Sequence, residues 1–177
     1  MPKTGLIHVY TGSGKGKTTA AIGLGIRACG SGMKVLMVQF LKSSNTSELY
    51  SLKKLEPNFS VERGFSCKKF TWNMTSDELE DTKREANEVL EKVKSIVLKD
   101  EFDLIILDEI LGTLSMGFIN EKDIIDMIKN KPSKLELVLT GRDASPEIIQ
   151  AADYVSEIKA VKHPFEKGIS ARKGIEF

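Results

Sequence analysis

Short, nearly continuous apolar runs alternate along this chain with longer stretches whose apolar residues recur at helical spacing. The first run, Gly5 to Tyr10, reads as a strand and leads into glycine-rich sequence. From Lys17 to Ala28, the residues Ala20, Ala21, Leu24 and Ala28 predict a helix, and Gly30 and Gly32 stand where it would stop. Lys34 to Leu41 is apolar almost throughout, as expected of a strand covered on both faces. A polar loop, Ser43 to Ser47, separates it from a short helix over Glu48 to Leu55 that ends before Pro57. Phe59 to Arg63 is a further strand, and the irregular stretch from Gly64 to Thr75 holds the only tryptophan, Trp72.

The longest helix is expected from Ser76 to Lys99. Its apolar stripe is Leu79, Ala86, Val89, Leu90, Val93, Ile96 and Val97. Asp77, Glu78 and Glu80 load the first turn with acid, which suits the positive end of the helix dipole. Opened at Ser76, with Leu79 at the following key position, the helix lacks a full capping box. Asp103 to Asp108 is a strand ending in acid, followed by helices over Ile110 to Met116 and Glu121 to Asn130. Leu135 to Thr140 is a strand running into Gly141 and Arg142, and Pro146 opens a short helix to Ala152. Tyr154 to Ala160 is the last strand, and Val161 to Phe177 is basic and glycine-punctuated. Strands alternating with helices, with no repeat and no linker, predict a single α/β domain over residues 1–177. It should hold a mostly parallel central sheet with helices on both faces.

Composition narrows the partners. Of 177 residues, 41% are hydrophobic and 29% charged, a balance that builds a core rather than a disordered chain. Lys plus Arg is 26 and Asp plus Glu is 25, so the formal net charge is +1, which speaks against nucleic acid or a membrane surface as partner. No apolar run approaches the roughly 20 residues that span a bilayer. The apolar stretch from Leu6 to Tyr10 is too short for a signal peptide, so a cytoplasmic location is expected. Cys29 and Cys67 form neither a disulfide framework nor a metal knuckle.

The chemistry concentrates after the first strand. Thr11-Gly12-Ser13-Gly14-Lys15-Gly16-Lys17-Thr18 follows the Walker A pattern except that Thr11 stands where a glycine is expected, and Thr19 continues it. Glycines let backbone N–H groups approach phosphate oxygens, and the next helix points its N-terminus at the anion. Lys17 and Lys15 add cations, and the Thr18 hydroxyl is a magnesium ligand candidate. Asp108 and Glu109, at the end of a central strand, suit a Walker B segment close to that loop. The pattern predicts a three-layer, RecA-like P-loop NTPase fold that binds a nucleoside triphosphate with Mg2+. By itself it leaves open a small ATPase or kinase, in which Glu109 would polarise water, and a nucleotide-binding module without chemistry.

Further blocks sharpen this. The stretch Thr11 to Ala21 closely resembles the modified phosphate loop of the ATP:corrinoid adenosyltransferases. Matching blocks follow in order: Val38 to Lys42, Phe70-Thr71-Trp72, Leu107 to Glu109, Thr140 to Arg142, Ala152-Asp153 with Glu157, Lys162 to Phe165, and Gly174 to Phe177. The resemblance implies transfer of the 5′-deoxyadenosyl group of ATP to Co(I) of a corrinoid, cobalamin or a precursor, with release of inorganic triphosphate. It implies that Gly12, Ser13, Gly14, Lys15, Gly16, Lys17, Thr18, Thr19 and Arg142 hold the nucleotide, with Lys17, Thr18 and Glu109 at the centre of catalysis. Thr18 and Glu109 would ligate magnesium, with Asp108 beside them. Phe70, Thr71, Trp72, Lys162 and His163 would meet the corrinoid, the aromatics crowding its lower face so that the cobalt is more easily reduced. A transient flavoprotein reductase and a homodimer are implied as well. Because the loop begins ten residues in, the N-terminal helix that some relatives fold over the site is expected to be missing.

Overall fold

The computed structural model describes residues 4–42, 46–65 and 73–176. Among these residues six strands form one sheet: β1 (Ile7–Thr11), β2 (Val35–Gln39), β3 (Phe59–Arg63), β4 (Leu104–Asp108), β5 (Glu136–Thr140) and β6 (Tyr154–Glu157). Their order is β3-β2-β4-β5-β1-β6, and every neighbouring pair is parallel. The expected mostly parallel α/β sheet is therefore found, and it is parallel throughout.

Strand alternation sorts the sheet's side chains into two layers. Val35, Met37, Phe59, Leu104, Ile106 and Val138 pack with Ala21 and Ala28 of α1 (Lys17–Gly30) and Leu52 of α2 (Glu48–Leu52). Leu36, Val38, Ile105, Leu107, Leu137 and Leu139 pack on the other face. Their partners come from α3 (Ser76–Lys99), α4 (Ile110–Ser115), α5 (Glu121–Asn130) and α6 (Pro146–Ala151). Central strands buried on both sides explain why β2 and β4 read as unbroken apolar runs. Each buried aliphatic contributes about 1.5–3 kcal/mol, so this sandwich fixes where the strand ends lie.

Several boundaries differ from the sequence expectation for local reasons. β2 stops at Gln39, and Leu41 turns the chain with a φ of 55°. The helix expected over Glu48 to Leu55 divides into α2 and a 3-10 turn from Lys53 to Leu55. Helix α3 is capped one residue earlier than the reading from Ser76 allowed. Thr75 is extended, its hydroxyl accepts from the Glu78 N–H, and the Glu78 carboxylate accepts from the Thr75 N–H. That is a full capping box, so the expectation of an incomplete one is corrected. β6 ends at Glu157 rather than Ala160 because Ile158 turns onto the phosphate loop. No helix among the described residues is long and apolar enough to cross a membrane.

Candidate active site

β1 delivers the chain to the carboxyl edge of the sheet, and α1 starts at Lys17 with Gly16 as its N-cap. Gly16 offers no side chain to the first helical N–H groups, and no acid occupies the first turn. That end of α1 is therefore free to serve an anion. Thr11 belongs to the strand, which is why it can replace a glycine. Its carbonyl accepts from Ile158 N–H at 2.8 Å and its hydroxyl accepts from Ala144 N–H at 3.2 Å. Gly12 and Gly14 are required by close approach. A Cβ on either would stand 2.5 and 2.8 Å from the Ile158 carbonyl oxygen, which accepts from Gly14 N–H at 2.7 Å.

The Lys17 ammonium donates to the carbonyls of Gly12 (2.8 Å) and Gly14 (2.9 Å), holding the loop in a closed ring. Lys17 is buried, and burial lowers its pKa; Glu109 pulls the other way. Beside it, the Thr18 hydroxyl donates to Asp108 Oδ1 at 2.8 Å. Thr140, from the end of β5, donates to the same oxygen at 2.8 Å and accepts from Glu109 N–H at 3.0 Å. Asp108 is fully buried, and its Oδ2 lies 3.7 Å from Lys42 Nζ.

Glu109 follows in the left-handed region with a φ of 62°, which swings its carboxylate away from the strand line and into the cleft. Burial raises its pKa, and the neighbouring Asp108 charge raises it further, against Lys17, Lys42 and Arg142. Two carboxylates and a hydroxyl, with Thr18 directing its proton to Asp108, form an all-oxygen set of the kind a hard divalent cation takes.

The opposite wall comes from the C-terminal segment. Lys15 donates to Glu176 Oε1 at 2.9 Å, and Arg172 holds the same carboxylate through its backbone N–H and guanidinium. These hydrogen bonds bring the Glu176 pKa down to about 2. Between the walls lies an open cleft of about 540 Å³. Ser13 to Thr19 line it, together with Lys42, Glu109, Arg142, His163 and Glu176. Every phosphate-loop candidate after Gly12 thus meets Glu109 and Arg142 in one cleft. The second pair is divided. His163 reaches the cleft and accepts from Phe165 N–H at 3.2 Å, whereas Lys162 lies in an adjoining cavity of about 340 Å³ with His163 and Phe165. Phe70, Thr71 and Trp72 lie outside the described residues.

Lys42, Thr140 and Glu176 were not assigned a role from sequence. Each sits inside a block that was matched, Val38 to Lys42, Thr140 to Arg142 and Gly174 to Phe177, so the signal was present without its meaning.

Comparison with known proteins bears on this arrangement. The family described as ATP:corrinoid adenosyltransferase BtuR/CobO/CobP matches residues 3–177. A corrinoid adenosyltransferase of Escherichia coli (strain K12) is 35% identical over 173 residues, covering 98% of this chain and 86% of that protein. A corrinoid adenosyltransferase of Pseudomonas aeruginosa is 37% identical over 175 residues, covering 98% and 84%. Corrinoid adenosyltransferase CobA of Salmonella typhimurium (strain LT2) is 34% identical over 173 residues, covering 98% and 86%. Among solved structures, a KaiC-like protein of Pyrococcus horikoshii OT3 superposes with a TM-score of 0.51 at 13% identity, covering 88% of this chain and 73% of that one. That likeness shows the RecA-like P-loop fold and nothing more.

Proposed function

The chain belongs to the ATP:corrinoid adenosyltransferases, and we propose how its cleft carries out their ATP-dependent adenosyl transfer to a corrinoid. The acceptor is cob(I)alamin or cob(I)yrinic acid a,c-diamide. The cobalt electron pair attacks C5′ of ATP and becomes the cobalt–carbon bond, the C5′–oxygen bond breaks, and inorganic triphosphate departs with the pair from that C5′–oxygen bond. Substitution at carbon requires the triphosphate to be held as a leaving group and C5′ to face the corrinoid.

The observation that carries this reading is the hydrogen bond to buried Asp108 from Thr18, the residue that follows Lys17 at the start of α1. It sets a hydroxyl and two carboxylates against the phosphate loop. Thr18 and Glu109 hold Mg2+, and Asp108 orients Thr18. The ion, when bound, neutralises charge on the departing triphosphate. Lys17 leaves the loop carbonyls for the triphosphate, the N–H groups from Lys15 to Thr19 surround it, and Arg142 and Lys15 add positive charge. His163 and Lys162 meet the corrinoid at the mouth of the cleft. The family resemblance supports a role for Phe70, Thr71 and Trp72 against its lower face, where loss of an axial donor would let the cobalt accept an electron from a flavoprotein reductase. The family resemblance supports a homodimer as the working unit.

The deciding experiment is anaerobic incubation with chemically reduced cobalamin and MgATP, followed by chromatography of both products. Adenosylcobalamin with inorganic triphosphate is expected; ADP and phosphate with unmodified cobalamin would refute the reading. Trp72→Ala should slow the reaction chiefly when the corrinoid starts as Co(II). An equal loss with pre-formed Co(I) would remove the axial-ligand role.

A further inference from the structure

Gln39 closes β2, is fully buried, and has no hydrogen-bond partner for either Nε2 or Oε1 among the described residues. Its backbone is satisfied, since its carbonyl accepts from Gly64 N–H at 2.8 Å. Unpaired buried amides destabilise a fold, so native chains keep few of them. Alternation along β2 places Gln39 with Val35 and Met37, on the face that packs against α1. Parallel register sets it level with Asp108 on the neighbouring strand. There, Asp108 Oδ2 is also without a hydrogen bond, and its charge partner Lys42 stands 3.7 Å away. Two acceptor oxygens and an amide donor, none with a hydrogen bond among the described residues, thus belong to level positions on neighbouring strands, and one of them is on the carboxylate to which Thr18 donates.

A hydrated divalent cation supplies what this cluster lacks. Such a cation keeps several waters, and each presents O–H donors outward. Gln39 Oε1 and Asp108 Oδ2 are both acceptors. The side chain is also suitably neutral: a glutamate there would set a like charge against Asp108 and offer a base to water near the triphosphate. We infer that Gln39 is a positioning residue of the metal–nucleotide site, holding through its amide oxygen a water of the divalent cation beside Asp108. This rests on the reading of Thr18, Asp108 and Glu109 as the metal edge.

The test uses Mn2+ and inorganic triphosphate without any corrinoid, read by electron paramagnetic resonance, with thermal unfolding alongside. Gln39→Met keeps the size and removes the polar atoms. It should weaken Mn2+ binding about tenfold in the presence of triphosphate. Triphosphate binding in EDTA should be unchanged, and the metal-free protein should melt higher than the parent. Gln39→Glu, which keeps an acceptor, should retain Mn2+ binding while lowering the metal-free melting temperature. Parental Mn2+ affinity in Gln39→Met, whatever its stability, would overturn the role. If the parent binds triphosphate but retains no Mn2+, the metal edge itself falls, and this role with it.

Discussion

The wall of the cleft formed by Lys17, Thr18 and Glu109 stands on the end of β4, buried along its whole length with Asp108, and on a helix start in which Lys17 is itself buried. The facing wall, carrying His163 and Glu176, belongs to a segment in which every residue from 159 to 176 is exposed. The first is positioned by the core: moving Asp108 means moving β4 between its neighbours. The second is held by the Lys15–Glu176–Arg172 ion pairs, by the Gly14–Ile158 hydrogen bond and by a longer one from Ala160 N–H to Ser13 Oγ at 3.5 Å. Exposed ion pairs are weak and screened by salt. One wall is therefore held by core packing, and the other by surface contacts that cost little to break.

The contrast breaks most decisively at Lys17. Lys17→Ala should cut adenosylation at saturating ATP by about 100-fold or more while the protein still unfolds cooperatively; full activity would end the phosphate-cradle assignment. Gly14→Ala attacks the seam between the walls, because its Cβ would meet the Ile158 carbonyl and the chain at Lys159, both at 2.8 Å. A loss of about 1–3 kcal/mol in stability and a clear fall in ATP affinity are expected, measured by denaturant unfolding and calorimetry.

Glu109 sharpens the comparison through pH. Its folded pKa is raised by burial first, so its contribution to stability is complete below the ordinary carboxylate range and is lost as pH rises through the raised value. Glu109→Gln should accordingly melt higher than the parent at pH 7, with the difference vanishing by pH 4, while adenosylation falls. Glu176 has the opposite sign and the smallest effect. Its folded pKa is lowered to about 2 by Arg172 and Lys15, so what it contributes is present above the ordinary carboxylate range and fades as pH falls toward that value. Glu176→Gln should shift the KM for ATP a few-fold, more at low salt than at high, and leave kcat nearly unchanged. A collapse of kcat would show that this wall is as exacting as the other.

Much of this architecture was legible in the chain. The periods of Val35 to Gln39 and Leu104 to Asp108, and the helical stripe from Leu79 to Val97, carry their environment in their own residues, since burial on two faces or one leaves distinct patterns. The phosphate loop was legible because phosphate binding needs glycine, lysine and threonine at fixed local spacing. The capping box is legible too, one position before Ser76, because the spacing from Thr75 to Glu78 is local.

What only the folded chain decided are relations between segments distant in sequence. Strand order β3-β2-β4-β5-β1-β6 brings Thr140 and Thr18 to the same Asp108 oxygen, and register brings Gln39 level with that aspartate. Glu176 meets Lys15 across 161 positions. Local sequence determines helices, strands and turns through short-range sterics and hydrogen bonding. Which strand ends become neighbours is settled by the packing of whole layers, and the chemistry of this cleft depends on that packing.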